Sequence, residues 1–346
     1  MTDRNKVIQM FSGGLDSIIS AQIMRNEGFE VIAIHFYTGF NGNMARDIAG
    51  KPGEKWTPGQ SVVDAARKLD ITLMPIDVSV EYHDIILNPR YGYGSAANPC
   101  IDCRIFLLIK AREVMEAEGA ILVFTGEVLG QRPMSQHRNS LRQVEKRSGL
   151  KGRLLRPLSA KLLDPTIPEK EGLVNRDHLY DIQGRSRKPQ QELADTFGID
   201  WYPSSGGGCL LTYKQFSKKF DDLLAHSDRD KISLNLLCSL KTGRHIRLES
   251  GVKIIVGRCE VENDYLMTLL SPYYWYFEAR DFEGPTVFAT DEPAEEDFAK
   301  IAAITARYGK GRDEESVAVI AKKGDEERVF EVTPSKPEET EKLLIC

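Results

Sequence analysis

The chain has 346 residues, a length typical of about two domains, and a formal net charge of −5. This charge excludes a protein that coats nucleic acid with a basic surface. A composition of 41% hydrophobic and 28% charged residues is that of a globular protein, and no apolar run approaches the ~20 residues of a membrane span. The N-terminal stretch MTDRNKVIQMF lacks the apolar core of a signal peptide, so we expect a cytoplasmic protein without membrane contacts.

The first two thirds of the chain alternate short apolar strands with helical segments. Strands are predicted at KVIQMF, EVIAIHFYTG, ITLMPIDVS and AILVFTGEV, and helices between them. Apolar strands separated by helices indicate a mostly parallel sheet with right-handed crossovers. We therefore expect an α/β domain over residues 1–228, built as a parallel sheet flanked by helices.

The pattern changes beyond a polar stretch at residues 225–231. Two alternating or apolar runs follow, GVKIIVGR and YLMTLLSPYYWYFEARD. A long helix, EEDFAKIAAITARYG, and a last strand pair, SVAVIAKK and ERVFEVTP, complete the chain. These elements predict a second, smaller α+β domain over residues 232–346.

A glycine-rich turn, SGGLDS, joins the first strand to the first helix. Backbone N–H groups from Gly13 to Ser17 would point outward at the positive end of the helix, which makes an anion site. Gly13 and Gly14 have no Cβ, so a phosphate can approach the backbone closely. The turn matches neither G-x-x-x-x-G-K-[ST] nor G-x-G-x-x-G, and a plain strand-to-helix turn is the alternative.

The stretch from Arg132 to Lys161 holds nine Lys or Arg residues and a single acid, Glu145. A local basic cluster of this kind is typical of nucleic-acid sites. A solvated helix and loop explains the charge equally well.

The six cysteines of a cytoplasmic chain are not expected to form a disulfide framework. Cys100 and Cys103 form a C-x-x-C pair, and Cys209 follows a run of glycines. The other three are most simply core or terminal residues: Cys238, Cys259 and Cys346.

The turn S-G-G-x-D-S resembles the PP-loop of the ATP pyrophosphatases, which transfer AMP to an oxygen acceptor and release pyrophosphate. The resemblance implies an adenine nucleotide alpha hydrolase-like PP-loop fold that uses ATP and Mg²⁺. It places Ser12, Gly13, Gly14, Asp16 and Ser17 at the pyrophosphate, with Asp16 oriented toward Mg²⁺. The end of the second strand, near His35, would lie by the adenine; a packed core histidine is the alternative.

Further motifs resemble tRNA thiolation enzymes. NPCIDC and GGGCLLTYKQFSKKFDDLL are similar to the two cysteine segments of these enzymes, while TGEVLGQRPMSQ and LLRPLS are similar to stretches of the 4-thiouridine synthases. The resemblance implies an ATP-dependent tRNA sulfurtransferase that makes 4-thiouridine at position 8. The alternatives are a tRNA 2-thiouridylase and an RNA-binding protein with a vestigial PP-loop. Gly126, Gln131 and Gln136 lie on the resembled stretch and would serve the nucleotide or the base.

By the same resemblance Cys100, Cys103 and Cys209 are the catalytic cysteines, together with Asp16. Three thiolates with a C-x-x-C pair favour a [4Fe–4S] cluster with one open iron, because a structural zinc usually takes four ligands. The alternative is a persulfide on Cys209 that Cys103 resolves as a disulfide. The resemblance does not choose between sulfide and a cysteine desulfurase as the sulfur donor. It also does not decide whether the protein forms a homodimer.

The second domain resembles the RNA-binding R domain of NFACT proteins over about residues 243–335. The resemblance lies in VGRCEVENDYL and YYWYFEARDFEGPTVF. From Arg229 onward the chain contains 17 basic and 23 acidic residues, so RNA binding would need a local basic face. That face is expected to include five residues, Lys241, Arg244, Arg247, Arg258 and Arg280. Trp275 is a candidate for stacking on bases, with core packing as the alternative.

Overall fold

The computed structural model describes residues 5–41, 58–203 and 208–346. Two compact units divide these residues: the first takes 5–39, 58–203 and 208, and the second takes 40–41 and 209–346. This division falls between Gly208 and Cys209, and the predicted domain boundary at residues 228–232 lies C-terminal to it. The helix Lys214–His226 belongs to the second unit because its Asp222 pairs with Arg247 and Lys253 of that unit's sheet.

The first unit contains a parallel sheet of five strands. In chain order these are β1 (Lys6–Met10), β2 (Glu30–Tyr37), β3 (Thr72–Asp77), β4 (Val123–Thr125) and β5 (Leu154–Leu155). The spatial order is β3-β2-β1-β4-β5, and every pair is parallel. The order places the ends of β1 and β4 side by side, with Met10 opposite Thr125. The predicted parallel α/β fold is confirmed.

Seven helices accompany these strands in the described part of the first unit. They are α1 (Leu15–Asn26), α2 (Gln60–Lys68), α3 (Ser79–Leu87), α4 (Cys100–Ala117), α5 (Arg138–Arg147), α6 (Ile167–Lys170) and α7 (Lys188–Thr196). Successive side chains of β1 enter two different cores: Val7 packs in a cluster with Ile18 of α1, and Ile8 in one with Leu108 of α4. Burial on both faces explains why two successive residues of the strand, Val7 and Ile8, are both apolar.

The second unit contains an antiparallel sheet of six strands. These are β6 (Arg244–Arg247), β7 (Lys253–Val256), β8 (Tyr276–Ala279), β9 (Val287–Ala289), β10 (Val317–Lys323) and β11 (Glu326–Val332), in the order β11-β10-β8-β9-β7-β6. Its described helices are α8 (Lys214–His226), α9 (Leu234–Ser239), α10 (Glu260–Leu270), α11 (Glu295–Tyr308) and α12 (Pro337–Glu341). Phe298 of α11 packs on Phe277 of β8 at 5.8 Å between ring centroids. The predicted α+β domain is confirmed.

The run YLMTLLSPYYWYFEARD is not one extended segment. Its first six residues end α10, and β8 begins only at Tyr276. Leu266 and Leu270 are both fully buried, which is the i, i+4 spacing of a helix face rather than a strand. Pro272 follows the helix end, where it cannot continue the helical hydrogen bonds.

Among the residues that the model describes, no helix combines the length and the apolar character that a membrane crossing requires.

Candidate active site

The turn between β1 and α1 presents unpaired backbone donors. Gly14 is the N-cap of α1 and provides no side-chain cap, and the N–H groups of Leu15 and Asp16 have no acceptor among the described residues. Gly13 has φ +74°, and a Cβ there would lie 3.0 Å from Cγ2 of Val62. Both a left-handed conformation and close packing therefore require glycine at this position. The predicted phosphate-binding turn has the expected backbone form.

Two serine hydroxyls of the turn shape its backbone. The Ser12 hydroxyl donates to Oγ of Ser17 at 3.2 Å, and the Ser17 hydroxyl donates to the carbonyl of Gly14 at 2.8 Å. Ser12 is exposed, whereas Ser17 is buried. Ser12 is thus the serine whose hydroxyl is accessible to a phosphate, and Ser17 supports the turn from beneath.

Asp16 lies among polar atoms that have no partner. Oδ1 of Asp16, Nε2 of Gln131 and both amide atoms of Gln190 are buried without a hydrogen-bond partner in the described structure. Burial raises the pKa of the Asp16 carboxyl, although Gln131, Arg187 and Arg132 act to lower it. Buried polar atoms are normally satisfied, so a group of orphaned ones indicates a ligand site. These residues fit a magnesium-bound pyrophosphate, which would supply both a cation and acceptors.

Gly126 is required by packing against the turn. A Cβ at Gly126 would lie 2.6 Å from the carbonyl carbon of Asp16 and 2.7 Å from the nitrogen of Ser17. The segment after β4 therefore touches the backbone of the phosphate-binding turn. This contact explains the glycine without a direct role for it in binding the nucleotide.

Gln131 and Gln136 have different roles in the loop that follows β4. Oε1 of Gln136 accepts from the N–H of Arg132 at 3.0 Å, and its carbonyl accepts from the N–H of Gly130 at 2.8 Å. Gln136 is buried and fixes the loop, and its service to the nucleotide or base stays a prediction. Gln131 faces Asp16 and remains a candidate ligand.

The C-x-x-C pair begins α4 and rests on an ordered loop. Nδ2 of Asn98 donates to Sγ of Cys100 at 3.0 Å, and Oδ1 of Asn98 accepts from the N–H of Ala96 at 3.1 Å. The Asp102 carboxylate accepts from the N–H groups of Arg90 and Tyr91 at 3.1 and 3.0 Å. The NPCIDC segment thus places Cys100 at the first position of α4 and Cys103 one turn later.

Cys103 lies on the buried side of the same helical turn. Burial raises the pKa of its thiol and the nearby Cys100 raises it further, whereas the Tyr82 hydroxyl, Arg104 and Arg132 act to lower it. The two thiols are therefore close enough to influence each other.

A buried ion-pair network holds the cysteine helix to the β4 end. Glu127 lies 3.0 Å from Nε of Arg104 and 3.1 Å from Nε of Arg156. Burial opposes ionisation of Glu127, but the two guanidinium groups outweigh it and hold its pKa below the ordinary range. The TGE and RPL stretches therefore meet in one ion-pair network beside Cys103.

Arg132 acts electrostatically on both predicted sites. Its charge acts to lower the pKa of Asp16 and that of Cys103. The Arg132 side chain is exposed. Geometry joins the two sites through the segment after β4, because Gly126 touches the Asp16 backbone and Glu127 pairs with Arg104 beside Cys103.

His35 is oriented by the end of β1. Its Nδ1 lies 2.8 Å from the carbonyl oxygen of Phe11, and burial lowers its pKa, so the neutral ring is favoured. The ring packs at the carboxyl edge of the sheet, which agrees with the alternative of a packed histidine and leaves the adenine contact as a prediction.

Cys209 belongs to the second unit. It precedes a short 3-10 turn, Leu210–Thr212, and its carbonyl accepts from the N–H of Thr212 at 2.9 Å. Within residues 5–41, 58–203 and 208–346, no three His, Cys, Asp or Glu side chains are grouped as metal ligands. Cys209 lies in a different unit from Cys100 and Cys103, so the three-cysteine cluster site stays a prediction.

The expected RNA-binding face of the second unit is largely neutralised. Trp275 is 2% exposed, and its Nε1 donates to Glu292 at 2.8 Å, so it is a core residue. Arg247 pairs with Asp222, Arg258 with Glu262, and Arg280 with Asp281 and Glu331. Lys241 and Arg244 lie over the rings of Phe40 and Tyr308.

Several residues of the site escape sequence reasoning. Gln190 and Arg187 come to Asp16 from α7, and nothing in the sequence around them marks a ligand. The sequence could have indicated Arg104 and Glu127 as site residues, because Arg104 directly follows NPCIDC and Glu127 lies in TGEVLGQRPMSQ. Only the fold shows that these two residues form an ion pair.

Comparisons with known proteins agree with this division. Residues 5–144 match the family model of the tRNA methyl transferase HUP domain, and residues 243–344 match that of the NFACT protein RNA binding domain. These matches confirm the predicted fold of the first unit and the resemblance of the second.

Curated relatives match the N-terminal part of the chain. The tRNA-specific 2-thiouridylase MnmA of Petrotoga mobilis is 30% identical, over 36% of this chain and 35% of the relative. The same enzyme of Pelobacter propionicus is 26% identical, over 58% and 55%. The chain thus spans about a third to a half of the length of these relatives. A predicted subunit of tRNA methyltransferase from Methanocaldococcus jannaschii is 14% identical over 55% of this chain and 75% of that one, with a TM-score of 0.33.

Proposed function

We propose that this protein is an ATP-dependent tRNA sulfurtransferase, which adenylates a uridine carbonyl oxygen and replaces that oxygen with sulfur. The observation that carries the proposal is the segment after β4: Gly126 packs against the Asp16 backbone, and Glu127 pairs with Arg104, the residue next to Cys103. A phosphate-binding turn beside a thiol pair is the arrangement that activation followed by sulfur transfer needs. A site for ATP alone would have no use for the thiols.

In the first step the uridine carbonyl oxygen attacks the α-phosphorus of ATP and pyrophosphate leaves. The N–H groups at the start of α1 and the accessible Ser12 hydroxyl would hold the leaving pyrophosphate. Asp16 would hold Mg²⁺, which neutralises the charge that develops on the phosphate oxygens. Gln131 and Gln190 would orient the same group: among the described residues, Nε2 of Gln131 and both amide atoms of Gln190 have no hydrogen-bond partner.

In the second step sulfur displaces AMP from the activated ring carbon. The terminal sulfur of a cysteine persulfide attacks that carbon, and AMP leaves with the former carbonyl oxygen. A second cysteine thiolate then attacks the carrier cysteine's sulfur, which forms a protein disulfide and releases the thiouridine. A thiol reductant restores both cysteines. In this route Cys103 and Cys209 are the reacting pair.

A [4Fe–4S] cluster held by Cys100, Cys103 and Cys209 is the other sulfur route. Cys100 and Cys103 would supply two thiolates from the first turn of α4, and Cys209, in the second unit, would supply the third. Iron content decides between the routes.

The relatives named above are 2-thiouridylases, which supports the 2-position of uridine as the primary product. A second candidate, 4-thiouridine at position 8, is favoured by the TGE-x-x-GQ and RPL stretches. Those stretches build the Glu127–Arg156 pair beside Cys103. The tRNA is the proposed partner in both cases, and the NFACT-type domain supports RNA binding. A reducing cytoplasmic location suits the free thiols.

Nucleoside analysis tests the proposal. Purified protein, ATP, Mg²⁺, a cysteine desulfurase with cysteine, and unmodified tRNA should yield a thiouridine that liquid chromatography and mass spectrometry identify. We expect 2-thiouridine; 4-thiouridine would select the second candidate. A tRNA that binds tightly but gains no sulfur with any donor, sulfide included, would contradict the proposal and favour a vestigial PP-loop.

A further inference from the structure

A cavity of about 280 Å³ lies between α5, β5 and the segment that leads to α6. Its apolar lining comes from five residues, Leu141, Leu154, Leu155, Ala160 and Leu163. Five cationic side chains also line it: Arg138, Arg142, Lys146, Lys151 and Arg156. An apolar surface beside several cations suits a ligand that has a flat apolar part and an anionic part.

The acids of the cavity are already engaged. Glu145 accepts from the N–H of Gly152 at 2.8 Å, and Asp164 lies 3.4 Å from Arg142. Glu169 caps α6 by accepting from Thr166 at 2.7 Å. By contrast, Lys146 and Lys151 have no ion-pair partner in the described part of the chain, and both are exposed at the cavity. The cavity therefore keeps free positive charge for an anion.

Arg156 provides the second, independent observation. It is 3% exposed and lines the cavity, with Nε 3.1 Å from Glu127 and Nη1 3.6 Å from Glu145. Its Nη2 is buried and has no hydrogen-bond partner among the described residues. A buried guanidinium donor without an acceptor indicates an acceptor that a ligand supplies.

We propose that this cavity binds one extruded nucleotide of the RNA substrate. The base packs on the leucines, and the phosphate lies between Lys146, Lys151 and Nη2 of Arg156. A cavity near the lower end of the range for small ligands suits a single nucleotide, and RNA-binding proteins commonly recognise bases that have left the stack. The inference rests on the proposed function, because it takes its ligand to be the tRNA.

The ion pairs of Arg156 connect this cavity to the helix that carries the cysteines. Glu127 joins Arg156 to Arg104, the residue next to Cys103. A nucleotide anchored on Arg156 is therefore positioned by the same side chains that hold the cysteine helix. An anchoring nucleotide of this kind fixes the register of the tRNA relative to the reacting thiol.

Two neighbouring residues of α5 provide a matched test. Lys146 lines the cavity, whereas Arg147 is equally an exposed cation but does not line it. We expect Lys146→Glu to weaken tRNA binding at least about tenfold more than Arg147→Glu, which loses only a salt-screened surface charge. Lys151→Glu should behave like Lys146→Glu. Circular dichroism checks that all three variants fold.

Lysine footprinting adds a direct readout. With ATP and Mg²⁺ saturating, uridine 5′-monophosphate and tRNA should each protect Lys146 and Lys151 from reductive methylation, and exposed Lys170 should stay reactive. Inorganic phosphate should protect much less, because it cannot use the leucines.

The outcomes separate this inference from the proposed function. Equal losses in Lys146→Glu and Arg147→Glu would overturn it, as would the absence of protection by tRNA, even if the tRNA is thiolated. Protection of both lysines by uridine 5′-monophosphate supports the nucleotide site, whether or not thiolation is found.

Discussion

The single residue Asp16 lowers the stability of the fold, and the same carboxylate is available to a ligand. Asp16 is half-buried, its Oδ1 has no hydrogen-bond partner among the described residues, and burial raises the pKa of the carboxyl above the ordinary value of 3.8. The ionised group therefore destabilises the fold at neutral pH. This destabilisation is absent below the unfolded-state pKa and is complete above the raised folded-state pKa.

Asp16→Asn should accordingly raise thermal stability at pH 7 and lower turnover by about 100-fold or more, because the amide cannot neutralise a magnesium ion. Its affinity for tRNA should stay within about twofold. Thermal unfolding at pH 3 and pH 7, with turnover and binding assays, tests this prediction. A variant that gains no stability at pH 7 relative to pH 3 would contradict the burial argument.

Arg132→Gln should raise the pKa of the Cys103 thiol, since Arg132 contributes to lowering it. The pH midpoint for alkylation of Cys103 should move to higher pH, and turnover should fall about tenfold. Mass spectrometry of the Cys103 peptide after timed iodoacetamide treatment measures this midpoint. Arg138→Gln, on α5, is the matched control and should leave it unchanged. An unchanged alkylation midpoint in Arg132→Gln would show that Arg132 does not act on the Cys103 thiol and would contradict this prediction.

At the scale of elements, the order of strands brings the site together. β1 and β4 are neighbours, so the turn after β1 meets the segment after β4 at one edge of the sheet. The short contact between Gly126 and the Asp16 backbone is the consequence. Ligand sites at the carboxyl edge of parallel strands follow the general rule for open sheets.

Gly14→Ala and Gly126→Ala should separate binding from folding. A Cβ at Gly14 meets only Oγ of Ser12 at 3.5 Å, so this variant should fold normally and bind ATP about tenfold more weakly. A Cβ at Gly126 would collide with backbone, so Gly126→Ala should lose about 1–3 kcal/mol of stability as well as ATP binding. Chemical unfolding and ATP titration measure the two effects. Normal stability in Gly126→Ala would refute the packing argument.

The sequence was sufficient for elements whose hydrophobic period is clear, such as β1, α1 and α11. It was insufficient where burial decides the outcome. Trp275 is aromatic and near basic residues, yet it packs on Phe298 at 5.0 Å. Arg247 pairs with Asp222 of α8 and Arg280 with Glu331 of β11, and no local sequence pattern shows pairs between such distant residues.

At the scale of the whole molecule, the cysteines come from both compact units. Cys100 and Cys103 lie in the first unit and Cys209 in the second. The motifs predicted the two segments, but a sequence gives no distance between residues that are far apart in the chain. The sulfur route is therefore a question for chemistry on the intact protein.

Cys103→Ala and Cys209→Ala should each abolish thiolation, whereas Cys259→Ala, which removes an exposed thiol, should retain it. Cys100→Ala distinguishes the sulfur routes: loss of thiolation together with bound iron supports the cluster, and retention supports the persulfide. Iron analysis of anaerobically purified protein accompanies the assay. Full activity in Cys103→Ala would contradict both routes.

In the proposed reaction, ATP activates the RNA by adenylating a uridine carbonyl oxygen. Radiolabelled ATP with purified protein, Mg²⁺, a sulfur donor and tRNA should give AMP and pyrophosphate in equal amounts to the thiouridine formed, and almost none without tRNA. This result is expected because the acceptor oxygen belongs to the RNA and the SGGLDS turn has no lysine for γ-phosphate transfer. Production of ADP and phosphate as the main products, with or without tRNA, would contradict the account.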